Sequence, residues 1–222
     1  MLNRAGYDIK YHHPYFDILL KKYQFETVLD IGANAGQFAK DIRGRLPKAK
    51  IISFEPLHDC FSTLQSNMKD DKNWEAMNIA LGKEAGEVEM NKSAFSPSSS
   101  LLKETTLLKQ IYPKNTSTEK EKIVVKKLDD VFPRLNVKKP FLVKMDVQGF
   151  EDRVISGGQN ALKEATMILI ETNFEKFYEN QPLFGDIHEQ LRALGFSYHG
   201  NSGQHWNPKT GEVLYEDSIF LK

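Results

Sequence analysis

Short apolar runs alternate along the chain with stretches in which apolar residues recur every three or four positions. The runs at 27–31, 51–55, 75–81, 141–146, 167–171, 196–199 and 218–221 read as strands. Amphipathic stretches at 36–45, 57–68, 160–164 with its flanks, and 184–194 read as helices. Alternation of this kind predicts an α/β fold with a mostly parallel sheet covered on both faces. Right-handed crossovers then make it doubly wound.

Two stretches depart from the alternation. From Gly82 onward, "GKEAGEVEMNKSAF" reads as a hairpin with Ala85–Gly86 at its turn, and "KIVVKKL" around Val124 is a strand able to pair nearby. Between them, 103–122 is polar, contains Pro113 and has little apolar periodicity, so it is expected to be a lid or a flexible loop. Residues 1–24 are expected to form a helical N-terminal extension. No repeat and no linker divides the chain, so 1–222 is expected to be a single domain.

Composition narrows the classes. The 222 residues are 40% hydrophobic and 27% charged, enough to bury a sizeable core. Thirty basic and 30 acidic residues cancel, which argues against broad attraction to nucleic acid or an anionic membrane. Cys60 is the only cysteine, so no intrachain disulfide can form. The start "MLNRAGYDIKYHHPYF" has no apolar core, and no stretch approaches the ~20 apolar residues of a membrane span. A cytoplasmic protein is expected. His12, His13, His58, His188, His199 and His205 show no metal-ligand spacing, and no metal is expected. The alternative is a divalent cation held by Asp146, Glu171 and a nearby acid. His205, beside Trp206, is the histidine to watch, because an aromatic at a pocket mouth can stack on a sugar face.

The strand at 27–31 runs into Gly32-Ala33-Asn34-Ala35-Gly36 and then a helix. In open parallel sheets ligands bind at the carboxyl ends of strands, where a glycine permits a tight turn and a helix start offers amide groups. Asn34 stands where a pyrophosphate would need bare backbone, so the pattern departs from the dinucleotide motif. Glu55 ends the next strand roughly twenty residues on, where an acid reaches ribose hydroxyls. Asn78 either meets an adenine edge or serves as a turn residue. The strand "PFLVKMD" delivers Asp146, with Lys144 expected to point away from it, and "ATMILIE" delivers Glu171. Two carboxylates at adjacent strand ends suit a cation and repel a pyrophosphate. A phosphate-free nucleoside bearing positive sulfur, S-adenosyl-L-methionine, meets those demands. Ser98, Ser99 and Ser100 either line the pocket or form a polar turn after Pro97; Phe150, Phe174, Phe177 and Tyr178 read as core or pocket wall.

The ordered set "VLDIGANAGQFA", "SFEP", "NIALG", "SSSLL", "KKLDD", "LVKMDVQGFEDRVISGG", "ILIETNF" and "DSIFLK" resembles the FkbM-type S-adenosylmethionine-dependent methyltransferases, from about Val28 to near the C-terminus. The resemblance implies a class I methyltransferase fold: a seven-stranded Rossmann-like sheet with the last strand antiparallel and inserted beside the sixth. It implies O-methylation of a hydroxyl on a sugar or another natural product. The cofactor motif falls on Asp30, Gly32, Asn34 and Gly36, the ribose acid on Glu55, and a D-V-E/Q-G-x-E motif on Asp146, Gln148, Gly149 and Glu151. Many relatives carry Glu where Gln148 stands, so one charge is lost here and a metal role for that position weakens. Asp146 and Glu171 are the candidates for positioning the acceptor or taking its proton. The expected partner is a small hydroxyl compound such as a carbohydrate. Nucleic acid is disfavoured, since "DVQG" stands where base-amino methylases carry an N/D-P-P-Y/F motif. The rival readings are an NAD(P)-dependent Rossmann oxidoreductase and a non-catalytic cofactor-binding module.

Overall fold

A computed structural model describes residues 14–93, 98–112 and 117–222. His12, His13, Pro97 and Pro113, and most of the expected N-terminal extension, lie outside the described residues; what is described of that extension is helix α1, Pro14–Tyr23.

The chain then runs β1 (Thr27–Ile31), α2 (Gln37–Arg45), β2 (Lys50–Phe54), α3 (His58–Met68), β3 (Trp74–Met77), β4 (Ala80–Leu81) and β5 (Gly86–Ser93). It continues through α4 (Thr106–Ile111), β6 (Ser117–Lys126), α5 (Leu128–Val131), β7 (Phe141–Met145), α6 (Glu151–Gly157), α7 (Gln159–Lys163), β8 (Met167–Asn173), α8 (Phe184–Ala193), β9 (Ser197–Trp206) and β10 (Val213–Leu221).

Seven strands form one sheet in the order β3-β2-β1-β7-β8-β10-β9. The first five are parallel, while β10 runs antiparallel between β8 and β9. Every residue of β1 is buried, as a strand covered on both faces requires. Alternate side chains feed two cores. Leu29, Ile31, Val143, Met145, Ile168 and Ile170 pack with α6, α7 and α8 on one face. Val28, Ile51, Leu142, Met167, Leu169 and Ile219 pack with α1, α2 and α3 on the other. No helix among the described residues is long and apolar enough to cross a membrane.

A small second sheet has the order β4-β6-β5. The hairpin expected after Gly82 does not form: β5 pairs antiparallel with β6, and β4 pairs parallel with β6. Within 103–122, expected as a lid or loop, the chain makes α4 and the first part of β6. Thr105 Oγ1 caps α4 by accepting from the Leu108 amide. The second half of β6 is the strand expected around Val124, with Ile123 and Val125 buried and Val124 exposed, whereas 119–122 alternates glutamate and lysine and is made extended by its partner across the sheet.

Candidate active site

The glycine turn is built by close packing. Gly32 has φ +80, and a Cβ there would sit 1.9 Å from the Asp146 carbonyl oxygen. Gly36 has φ +88, and a Cβ there would lie 2.8 Å from Leu64 Cδ1. The amides of the turn itself, residues 32–36, are spent within the chain. Gly32 and Ala33 both donate to the Phe54 carbonyl, Gly36 to the Ala33 carbonyl, and Ala35 to Asn34 Oδ1. The Asn34 amide donates to Glu55 Oε2 at 2.8 Å, which links the first two strand ends. Asn34 itself takes φ +48, a left-handed conformation that asparagine tolerates.

Gly32, Ala33, Asn34 and Glu55 line one cavity of about 520 Å³. Glu55 is buried, and its Oε1 accepts the Leu57 amide at 2.8 Å. Burial pushes its carboxyl up to about 7, against the pull of the two amides and of Lys144. Apolar walls at Ile79, Leu81, Met90, Leu101 and Phe150 suit a purine. A buried acid, apolar walls and a close-packed turn fit S-adenosylmethionine.

Lys144 lines the same cavity on the side opposite to that expected. Expected to point away from Asp146, it shares a face with it, because residues two apart on a strand project to the same side. Its ammonium lies 3.5 Å from Asp146 Oδ2 and 3.7 Å from Asp30 Oδ1, and donates to the Gly32 carbonyl at 3.1 Å. Desolvation opposes its charge, but the surrounding acids, Asp146 first, prevail and hold its pKa above the ordinary value. Asp30 is fully buried under this lysine, accepts from Ser53 Oγ at 3.2 Å and does not line the cavity. Its carboxyl is pushed up by burial.

Asp146 and Glu171 meet through Gln148. The Gln148 side-chain amide donates to Asp146 Oδ1 at 2.7 Å and reaches Glu171 Oε1 at 3.4 Å. The single hydroxyl proton of Tyr178 is shared between the Ser98 carbonyl at 2.9 Å and Gln148 Oε1 at 3.1 Å, which favours the amide orientation that turns Nε2 to the acids. Burial, then the charge of Asp146, holds the Glu171 carboxyl well above the usual range. Glu151 is buried beneath the loop, where its Oε1 accepts the Val147 amide at 3.0 Å; burial pushes its carboxyl to about 7. Gln148 and Gly149 are both left-handed, at φ +55 and +92, and aim the amide back over the strand end. The Gly149 amide also donates to Glu151 Oε1, at 3.3 Å.

Asn78 does not line the cavity: its Nδ2 donates to the Glu55 and Pro56 carbonyls and braces the loop after β2. Ser99 lines the cavity, and Ser100 donates to the Gln148 carbonyl at 2.6 Å. Phe150 is pocket wall, Phe177 and Tyr178 are buried, and Phe174 is exposed. His205 lines the cavity with its ring stacked on Tyr215, centroids 4.2 Å apart, whereas Trp206 does not line it. Among the described residues, no group of three or more His, Cys, Asp or Glu side chains is placed to hold a metal.

Residues 30–198 match the FkbM methyltransferase domain. The chain is 28% identical over 164 residues to the 2-O-methyltransferase NoeI of Sinorhizobium fredii, covering 70% of this chain and 66% of that protein. It is 28% identical over 182 residues to methyltransferase 1 of Beauveria bassiana, covering 77% of this chain and 72% of the other. The solved FkbM methyltransferase of Methylobacillus flagellatus is 15% identical and superposes with a TM-score of 0.56 over 90% of this chain and 44% of its own, which shows the fold. The glycine turn, Glu55, Lys144, Asp146, Gln148 and Glu171 all fall inside the matched segment, and the chain belongs to the FkbM family of S-adenosylmethionine-dependent methyltransferases.

Proposed function

We propose that the protein transfers a methyl group from S-adenosylmethionine to a hydroxyl oxygen of a small molecule, a sugar being the preferred acceptor. The observation that carries this reading is that Glu55 and the Asp146–Gln148–Glu171 cluster face the same cavity. The 2-O-methyltransferase named above supports oxygen as the target atom.

When bound, the cofactor supplies an electrophilic methyl on positive sulfur. Glu55 holds the ribose and sets the cofactor's position along the strand ends. Asp146, fixed by Lys144 and Gln148, lies where an acceptor hydroxyl gives up its proton. Alignment is the main contribution, since well-oriented reactants gain effective molarities of about 10⁵–10⁸ M. Proton acceptance by Asp146 adds roughly 10²–10⁴-fold. Glu171, its carboxyl raised well above the usual range by burial and by the charge of Asp146, is within reach of the Gln148 amide and positions the acceptor beside Asp146.

Calorimetric titration with S-adenosylmethionine and with NADH tests the cofactor assignment. Saturable binding of the former alone is expected, and binding of NADH alone refutes the reading. Incubation with methyl-labelled cofactor and a panel of glycosides, alcohols and amines tests the target atom. Label on nitrogen and never on oxygen would refute hydroxyl transfer.

A further inference from the structure

A second cavity, of about 840 Å³, lies at the opposite edge of the sheet, where the amino ends of β1, β2 and β3 meet the last turn of α1. Part of its lining is apolar: Leu20, Phe25, Leu46 and Ala49 are buried there, and Trp74 is half-buried. Most of the rest is cationic. Lys21, Arg45, Lys48, Lys50, Lys72 and Lys138 line the cavity, against two acids, Glu26 and Glu75. Arg45 is paired with Asp17 and Asp41, each at 3.0 Å, and Lys50 with Glu75 at 2.9 Å. Lys21, Lys48, Lys72 and Lys138 make no ion pair among the described residues, and Glu26 is the one acid of the lining not already taken. In a chain whose charges cancel overall, this excess of positive charge is local.

The lining is held in shape from behind. The Arg43 guanidinium donates to Asp71 at 2.6 Å and to the carbonyls of Leu46, Ala49 and Asn73. It thereby ties the turn that carries Lys48 to the turn that carries Lys72. Trp74 donates its indole N–H to Ser53 Oγ at 3.1 Å, which fixes the ring at the cavity wall. The Lys138 amide donates to Thr27 Oγ1 at 2.9 Å and keeps that backbone beside the start of β1. A site ordered before its ligand arrives loses less freedom on binding.

Each part of the lining selects part of a ligand. A fixed indole offers a stacking surface to a planar ring. Lysine ammonium groups receive phosphates as point charges. A small inorganic anion would leave the indole unused, and a neutral aromatic compound would leave the lysines unused. The volume is that of a site for one small molecule.

We propose that this cavity binds a nucleoside di- or triphosphate, with the base against Trp74 and the phosphates among Lys21, Lys48, Lys72 and Lys138. The site is separate from the candidate active site and does not depend on the methyl-transfer reading.

Trp74 and Trp206 are the two tryptophans of the chain, and Trp206 is exposed and lines neither cavity. Trp206→Phe therefore leaves Trp74 as the sole fluorescent indole. The whole chain with this substitution, in excess S-adenosylhomocysteine to occupy the other cavity, is titrated with ATP, GTP, adenosine and tripolyphosphate at physiological salt, by fluorescence and by calorimetry. Saturable quenching by both nucleoside triphosphates is expected, with tripolyphosphate and adenosine each about tenfold weaker or more. Adding Lys48→Glu and Lys72→Glu, both at exposed positions, should weaken the nucleotides by about tenfold or more. Should Trp206→Phe not fold, calorimetry of the natural chain and of its double lysine variant makes the same comparison. No saturable nucleotide binding overturns the proposal, as does binding that leaves the Trp74 signal unchanged, or an unchanged affinity in the folded lysine variant. Tripolyphosphate binding as tightly as ATP, or a single-stranded oligonucleotide binding more tightly than either nucleotide, overturns it as well.

Discussion

Lys144 and Asp146 lie two residues apart on the same side of β7, with the ammonium 3.5 Å from the carboxylate and Asp30 3.7 Å away on the neighbouring strand. The lysine thus joins the glycine turn, the buried acid of β1 and the acid proposed to take the acceptor's proton. Lys144→Met is expected to leave Asp30 buried without a counter-charge, at a cost of about 3–5 kcal/mol. Lys144→Arg should keep most of the stability but disturb Asp146, because a planar fork cannot reproduce a point charge donating to the Gly32 carbonyl. Urea denaturation gives the first comparison. Turnover at saturating cofactor gives the second, with kcat lowered more than cofactor affinity.

On the proposed reading Glu55 should make cofactor binding pH-dependent. Its carboxyl is raised to about 7, and ribose hydroxyls would donate to the ionised form. Affinity for S-adenosylmethionine is expected to rise as pH passes upward through about 7. Without cofactor the linkage runs the other way. An acid raised in the folded state holds its proton longer than in the unfolded chain, so its contribution is full below 4.5 and is lost as pH rises through about 7. Glu151 adds a slope of the same sign. Glu55→Gln should flatten the pH dependence of both binding and apo stability and weaken binding about tenfold, a loss of one charge-assisted bond. Isothermal titration at several pH values and urea melts of the apo protein measure the two effects.

The sheet was legible because buried parallel strands must be nearly continuous apolar runs, and β1, β2, β7 and β8 are. Their carboxyl ends then located Glu55, Asp146 and Glu171. Two kinds of information were missing from the pattern. The first half of β6 owes its extended form to β5 across the sheet, because its lysine–glutamate alternation carries no burial signal, whereas the half around Val124, with Ile123 and Val125 buried, was legible. Gln148, Tyr178 and Ser100 come together from three distant segments through left-handed backbone at 148 and 149, which spacing alone does not reveal. The placement of Lys144 was available from the two-residue period of a strand, which puts 144 and 146 on one side.

Gln148 is the neutral bridge between two acids, and replacing it tests that role. Gln148→Glu removes the amide that donates to Asp146 and reaches Glu171, and puts a third carboxyl against them. The variant is expected to lose about 1–3 kcal/mol of stability at neutral pH and to recover part of it as pH is lowered and one carboxyl protonates. Turnover should fall at least tenfold, because Asp146 loses its orientation. Tyr178→Phe leaves the amide in place but frees its oxygen, so a smaller loss is expected. Thermal melts across pH, set beside initial rates for both variants, separate the charge effect from the orientation effect.

Two glycines that line the cavity should respond very differently to one added methyl group. A Cβ at Gly32 would meet the Asp146 carbonyl at 1.9 Å, on a backbone held at φ +80. Neither atom is the end of a flexible side chain, so the β1 and β7 ends must move apart and carry Glu55 and Asp146 with them. Gly32→Ala is expected to cost several kcal/mol, from strain and lost packing together, and to abolish cofactor binding. At Gly203 the nearest atom is Asp217 Oδ2 at 3.8 Å, ordinary van der Waals contact. Gly203→Ala should therefore change stability by less than about 1 kcal/mol and leave the cofactor's affinity as it is. Paired denaturation curves and cofactor titrations decide the matter: a folded, cofactor-binding Gly32→Ala protein would mean that the contact between the glycine turn and the end of β7 does not set the site.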